Sequence, residues 1–437
     1  MAREPVGAVV ALRDVPLRAL EGGRGARRAR AQRRRALAIG LVSDAERAGA
    51  WTNWSGAIAC RPAAVLHPRD DAEIAAVLAR AAAAGQCVRP VGSGHSSSAL
   101  CATDGVLLAL DHCTGIERFD PSSGRVTVRG GTVLHDLGHA LRRHGLALAN
   151  LGDIDRQTVA GAIATGTHGT GRALGNLSSQ VVALRLVSAD GAMRDVGADA
   201  PELLAAARVS LGALGIVSAV TLQALPAYRL HERTERISLT DVVARFASEA
   251  AAHRHFECFY FPRHGFAEAK ALDPTTAEPA SVAGVEGERI GWSHEILPSV
   301  REQKFHEMEY AVPEDAGVAC FEALAARLRA RHPAVAWPLE IRTVAADDAW
   351  LSPAYGRATC AISVHQDGRK PHEDLFADLE PIFWEHGGRP HWGKWHRCDA
   401  KRLAGRHPRL ADFAALRERL DPDGRLLNAH LRALLVG

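Results

Sequence analysis

The sequence predicts an α+β protein of two domains. Three observations carry that prediction: a chain of 437 residues, helix and strand signals that alternate between Trp51 and Pro226, and a change of composition after Pro226. A chain this long exceeds the size at which one hydrophobic core stops growing. Its 47% hydrophobic and 24% charged residues are ordinary for a globular protein, so a substantial core is expected. In chain order, Asp70 caps a helix in which Ile74, Val77 and Leu78 recur at helical spacing, within an alanine-rich run that Gly85 stops. Val88 to Val91 reads as a short strand feeding a glycine-rich turn, and Val106 to Leu110 and Arg125 to Arg129 as further strands. Val133 to Leu141 reads as a helix ending near Gly145. Val181 to Val187 is a strand that turns at Asp190-Gly191, and Leu211 to Val217 leads into another that ends near Pro226. Beyond it, Phe256, Phe259, Tyr260 and Phe261 mark strands of the second domain, and Asp421-Pro422-Asp423-Gly424-Arg425 is a turn before the final segment. The predicted division is a basic, disordered extension over 1–50, a first domain over 51–229, a second over 230–394, and a segment over 395–437 that returns to the first.

The formal charge of +3 conceals an asymmetry. Residues 1–50 hold eleven arginines and five acids, a surplus of six that leaves about −3 on the remainder. The body is therefore no nucleic-acid-binding surface, and no nucleic-acid partner is expected. The stretch Gly22 to Arg35 has the composition of a basic arm or of a twin-arginine signal. The apolar run Ala36 to Val42 that follows is short and soon meets Asp44 and Glu46, which favours a disordered tail or a start assigned too far upstream. No run approaches eighteen apolar residues, so no membrane span and a cytoplasmic location are expected. Eight cysteines are scattered without CxxC spacing, which predicts neither a zinc site nor a disulfide framework, and no metal at all.

Four segments carry the chemistry. In Val91-Gly92-Ser93-Gly94-His95-Ser96-Ser97-Ser98, small neighbours let a bulky group approach the backbone while the His95 imidazole stays uncovered. A second glycine-rich loop, Thr165-Gly166-Thr167-His168-Gly169-Thr170-Gly171, follows Asn150 to Asp155 and Val159 to Ala164. Neither loop has the glycine spacing of a Rossmann fingerprint, so phosphate contacts fall to backbone N–H groups and hydroxyls. The third segment runs from Glu340-Ile341-Arg342 to Tyr355-Gly356-Arg357, and the fourth is His391-Trp392-Gly393-Lys394. Glu340 and Arg342, two apart on a strand, project from one face.

With these four segments in this order, the chain resembles the sugar-oxidising branch of the vanillyl-alcohol oxidase family, which includes alditol oxidases and aldono-1,4-lactone oxidases and dehydrogenases. The resemblance runs from about Trp51 to the C-terminus. It implies a PCMH-type FAD-binding fold over 51–229 with a separate α+β substrate (cap) domain over 230–394. It implies a flavin held covalently by His95. Related proteins with two links use a cysteine within the segment that is here Asn150 to Asp155, and this chain has none there, so a single attachment is expected. The cofactor contacts that the resemblance implies are Gly92, Ser93, Gly94, Ser96, Gly152, Asp153, Thr158, Gly161, Ala162, Ile163, Ala164, Thr165, His168, Val217 and His391. It sets Arg342 and Lys394 beside the reacting carbon, where cations stabilise a developing alkoxide, with Glu340 orienting the substrate. Asp153, Glu307 and His365 join them in binding it.

The implied reaction is oxidation of a CH–OH group with dioxygen or another electron acceptor; Gly152 lies where a small residue opens a route for dioxygen. Alditol oxidases carry a histidine at the position of Ser363, a threonine at that of His365 and a glutamine near that of Glu307. The run Phe305 to Pro313, Gly152-Asp153-Ile154-Asp155 and Ser363-Val364-His365 are more similar to the lactone-oxidising members, whereas Glu340 to Arg357 closely resembles alditol oxidases. The expected partner is a sugar lactone; the alternative is a polyol of the xylitol or sorbitol type, or another sugar alcohol or nucleoside, oxidised with hydrogen peroxide as product. A flavin-free fold used for binding, with the arginine-rich tail on an acidic partner, is the competing class.

Overall fold

The computed structural model describes residues 49–281 and 287–436, so the basic extension expected over 1–50 lies almost wholly outside the described residues. Asp70 accepts a 2.8 Å hydrogen bond from Glu73 N and opens helix α1 (Asp71–Ala83), which buries Ile74, Val77, Leu78 and Ala81. Strand β1 (Val88–Val91) follows and pairs in parallel with β2 (Val106–Ala109), which also pairs in parallel with Ala64–Leu66. β1 is anchored by Arg89, whose guanidinium is fully buried and donates to the carbonyls of Leu100, Leu211, Gly212 and Leu426. This cage fixes the strand that delivers the His95 loop, and it ties the C-terminal segment to the first domain. Asn428 adds to the tie by donating to Ala99 O, Leu100 O and Ala102 O.

The helix expected over 133–141 forms as Leu134–Arg143. Helix α2 (Val159–Thr165) is capped by the Thr158 side chain and ended by Gly166, at φ +73°. Gly161, Ala164 and Thr165 share one face of it at i, i+3 and i+4. Strand β3 (Ile216–Gln223) is the centre of a five-stranded antiparallel sheet with Val181–Val187 and Met193–Val196 on one side and Arg125–Arg129 and Ile116–Asp120 on the other.

The second half of the chain builds one nine-stranded antiparallel sheet. Its long strands are β4 (Arg229–Ser238), β5 (His255–Phe261), β6 (Phe266–Thr275), β7 (Glu288–Trp292), β8 (Phe305–Pro313), β9 (Leu339–Val344) and β10 (Thr359–Asp367). The spatial order is Ala280–Ser281, β7, β4, β6, β5, β9, β10, β8, Arg389–Pro390. Helices Leu239–Ala252, Gly317–Arg331 and Glu373–Glu385 cover one face, against Phe256, Tyr260 and Tyr310. The alternation of the pleat turns Glu257, Glu340, Arg342, Ser363, His365, Glu307 and Glu309 to the other face, where all seven are buried. A buried charged face is costly unless its members are paired. Both halves share one hydrophobic core, all eight cysteines are unpaired, and no helix among the described residues is long and apolar enough to cross a membrane.

Candidate active site

Two cavities meet at the His95 loop. The first, of about 790 Å³, lies between that loop, α2 and the segment entering β3, and is lined by Gly92, Ser93, Gly94, His95, Ser96, Thr158, Gly161, Ala164, Thr165 and Val217. All ten are residues expected at the cofactor. Ala162 and Ile163, assigned with them, sit on the opposite face of α2, 0% and 2% exposed, in the core, and line neither cavity. The walls are tight: a Cβ on Gly92 would stand 2.2 Å from Thr158 Oγ1, and one on Gly161 2.9 Å from the same atom. Gly94 and Gly212 add left-handed backbone at φ +69° and +65°. A glycine-walled cleft that adjoins a polar cavity at the His95 loop fits a dinucleotide with a flat, reactive ring.

The second cavity, of about 830 Å³, shares His95, Ser96, Gln157 and Thr165 with the first and extends to the charged face of the nine-stranded sheet. Gly152, Asp153, His168, Glu307, Glu340, Arg342, His365, His391 and Lys394, all expected at the site, line it together. The backbone explains how distant segments meet here. His391 N donates to Glu309 O and Trp395 N to Glu307 O, carrying the His391–Lys394 loop along β8. Ser97 N donates to Gly393 O at 2.7 Å and Ser98 Oγ to Trp392 O at 2.6 Å, which joins that loop to the one bearing His95.

The electrostatics are those of a packed ion network. Arg342 Nη2 donates to Glu309 Oε2 at 2.6 Å and Arg342 Nε lies 3.1 Å from Glu340 Oε1, so the guanidinium is held from both sides. Burial opposes its charge, but Glu340 and then Glu309 raise its pKa above the ordinary value. Glu309 also accepts from Ser363 Oγ at 2.7 Å and meets His168 Nε2 at 2.8 Å. Against burial, His168 and then Arg342 hold its carboxyl well below the usual range. Lys394 Nζ makes a short ion pair with Glu307 Oε2, and Lys394 and His365 keep Glu307 below its ordinary value despite burial. Glu340 goes the other way: burial first, and then the carboxylates of Asp153, Glu257 and Glu307, push it well above the usual range in spite of Arg342. Three groups here, His168–Glu309–His391, Glu307–Glu340–His365 and Asp153–Glu257–Glu340, are compact enough to hold a cation, and each is already in contact with a lysine or arginine.

Burial lowers the pKa of three histidines at the site, His95, His365 and His391. His95 stacks on Trp54, with ring centroids 5.2 Å apart and planes at 28°, and burial followed by the Lys394 ammonium lowers its pKa to about 4. His391 is likewise lowered to about 4, by burial first, and its Nδ1 accepts from Gly393 N. His365 Nδ1 lies 2.9 Å from Pro338 O, which assigns the proton to that nitrogen and leaves Nε2 an acceptor, 3.7 Å from Glu307 and 3.8 Å from Glu340.

Sequence reasoning missed Trp54, Gln157, Glu309 and Arg301. Glu309 carried a signal, since it stands two residues after Glu307 on one strand and must share its face. Trp54 carried none: Trp54 N donates to Gly94 O, and Asn53 Nδ2 to Ser96 O, through contacts forty residues long.

A glycine-walled dinucleotide cleft opening onto a buried lysine–arginine cavity defines a flavin-dependent oxidoreductase, and the comparisons with known proteins agree. Residues 62–197 match the FAD binding domain family, and residues 220–289 and 280–434 match the D-arabinono-1,4-lactone oxidase family. The chain is 38% identical to L-gulono-1,4-lactone dehydrogenase of Mycobacterium tuberculosis over 427 residues, covering 88% of this chain and 99% of that one. It is 32% identical to L-gulonolactone oxidase of Bos taurus, covering 87% and 96%, and 34% identical to alditol oxidase of a Streptomyces species, covering 88% and 99%. Cholesterol oxidase from B. sterolicum shares the fold, with a TM-score of 0.80 at 17% identity over 88% of this chain and 96% of that one. The chain belongs to the aldonolactone- and alditol-oxidising branch of the vanillyl-alcohol oxidase family of FAD-dependent oxidoreductases.

Proposed function

We propose that this protein oxidises a CH–OH group of an aldono-1,4-lactone of the gulono or arabinono type, and that it does so with FAD tethered to His95. The observation that carries the proposal is the meeting of Arg342 and Lys394 in one cavity that opens at His95. Residues 51–229 with 395–437 are the FAD-holding part, and 230–394 supply the substrate face. FAD, when bound, supplies the two-electron acceptor for the substrate C–H bond. The loop Gly92 to Ser96, the Thr158–Thr165 face of α2 and Val217 would hold it. A neutral His95 supports the tether, because only the unprotonated imidazole is a nucleophile.

The residues around the substrate divide the remaining work. Lys394 and Arg342 present fixed positive charge to the hydroxyl oxygen, favouring its deprotonation at little reorganisation cost. His365 Nε2, unprotonated, is the acceptor that we assign to the hydroxyl proton. Glu340, beside Arg342, orients the substrate, and Glu307 holds Lys394 in place. Asp153 closes the cavity from the Gly152 side.

The lactone reading over the alditol is supported by the match of residues 220–289 and 280–434 to the D-arabinono-1,4-lactone oxidase family and by the similarity to L-gulono-1,4-lactone dehydrogenase; Glu307 and His365, which face each other across β8 and β10, are the residues that we assign to this choice. Reoxidation falls to dioxygen or to another acceptor. A Cβ at Gly152 would lie 3.1 Å from His168 O and 3.2 Å from Thr167 Cγ2, a tight fit that favours a small residue there on packing grounds as well.

The test is a panel of aldono-1,4-lactones and alditols scored for peroxide and for dye reduction, beside acid precipitation of wild type and His95→Ala. The proposal expects turnover of a lactone and yellow colour that stays with the precipitate of the wild type alone. Turnover of alditols only, or colour that leaves the wild-type precipitate, would overturn its respective half.

A further inference from the structure

Behind the cavity, a row of alternating charges crosses the same face of the nine-stranded sheet. Arg289 on β7 donates to Glu232 on β4 from Nε at 2.7 Å and from Nη2 at 2.9 Å. Lys270 on β6 lies 3.9 Å from Glu232 and 2.5 Å from Glu257 on β5. Lys270 and Arg342 are the direct cross-strand neighbours of Glu257, one on each side. Arg342 then ends the row on Glu309. Arg289, Glu232 and Lys270 do not line the cavity, and Glu257, 1% exposed, does not either.

The reason for such a row lies at its inner end. Carboxylate oxygens of Asp153, Glu257 and Glu340 come within 4.8 Å of one another. Carboxylates this close disfavour one another's charge unless cations intervene. Arg301 reaches Asp153 from the mouth of the cavity, 3.4 Å away, and His365 faces it from β10. On the buried side, among the described residues, Lys270 and Arg342 serve the group. Lys270 is the first of the groups that bring Asp153 below its ordinary pKa against burial, and Glu257, next to it, is raised by burial and by Asp153.

We propose that Lys270 is a positioning residue for the oxidation: by neutralising Glu257 from the next strand on the same face of the sheet, it leaves the Arg342 guanidinium free to face the substrate. Without it, Glu257 has Arg342 as its nearest cation, across one strand gap, and draws the guanidinium back from the cavity. The inference rests on the reading of Arg342 as a substrate-facing group.

The test compares full-length holoenzymes: wild type, Lys270→Arg, Lys270→Met, Glu257→Gln and the double variant Lys270→Met/Glu257→Gln. Coupling across a buried ion pair predicts that Lys270→Met lowers kcat by about tenfold to a hundredfold, with KM moved much less. Lys270→Arg keeps most of the activity. The double variant, which removes the stranded charge with its partner, recovers most of the loss. A second readout needs no substrate. Carboxylates robbed of their cation bind protons more tightly in the folded state, so Lys270→Met loses thermal stability as pH rises through the carboxylate range, and the double variant does not.

A folded Lys270→Met with wild-type kcat and a wild-type profile of Tm against pH overturns the proposal. A double variant as impaired as the single one does the same, and so does a double variant that fails to fold along with it. Absence of lactone turnover in the wild type would strike the proposed function instead, and the Tm profile would still decide the role of Lys270.

Discussion

Glu309→Gln is the most searching single substitution in the site. The carboxylate is 2% exposed and meets three donors: Arg342 Nη2 at 2.6 Å, Ser363 Oγ at 2.7 Å and His168 Nε2 at 2.8 Å. Glutamine keeps the shape, loses the charge and turns an N–H donor towards one of those three donors. Breaking one side of a buried pair costs about 3–5 kcal/mol. Arg342 keeps Glu340 as a second partner, so the lower end, about 3 kcal/mol, is expected in stability. Loss of one fixed cation at a developing oxyanion is worth about 100- to 1000-fold in rate. A cation that is loosened rather than removed should lose less, about tenfold to a hundredfold in the first-order rate of flavin reduction by lactone under anaerobic conditions. The assay is rapid mixing, with flavin content measured beside it. A Glu309→Gln enzyme with full flavin content, an unchanged reduction rate and an unchanged Tm would refute the argument that Glu309 holds Arg342 in place.

Other consequences follow from the same geometry. Gly92→Ala puts a methyl 2.2 Å from Thr158 Oγ1, so the loop must shift, and the ratio of flavin to purified protein should fall steeply while the fold, read by circular dichroism, persists. His391 and His255 have pKa values lowered to about 4, and His396 to about 3, each chiefly by burial. The unfolded chain therefore binds more protons than the folded one below about pH 6.5, and Tm should fall as pH drops from there towards 4. His391→Gln should flatten that slope; an unchanged slope would contradict burial as the cause. Glu340, raised above its ordinary value, contributes the opposite sign, a stability lost as pH rises through its folded pKa, and Glu340→Gln should remove that contribution from the Tm profile.

Much of the fold was legible because its signals are local. Asp70 and Gly85 bound α1, and the His95 loop stands where the strand before it delivers it, whereas the helix α2 that precedes the second glycine-rich loop was not read. The Glu340–Arg342 pair followed from the two-residue repeat of a strand, and Lys394 from resemblance alone. Assigning the whole run Gly161 to Thr165 to the cofactor ignored the turn of the helix, which sends Ala162 and Ile163 into the core. Sheet order was not legible. It sets β9 beside β5 and β8 beside β10, out of sequence order, and only that order makes neighbours of Glu257, Arg342, Ser363 and Glu309. Lys270 reads in sequence as a solvated strand charge, and nothing near it announces a partner 13 residues earlier in the chain.

The most direct measurement is a single turnover. The yellow holoenzyme is mixed anaerobically with an aldono-1,4-lactone, in wild type, Lys394→Met and Arg342→Met, and bleaching of the flavin is timed. The geometry predicts full bleaching in the wild type and rates about 100- to 1000-fold lower in each variant at equal flavin content. Failure of the wild type to bleach, or variants that bleach as fast as it does, would contradict a cavity whose chemistry is carried by that ammonium and guanidinium.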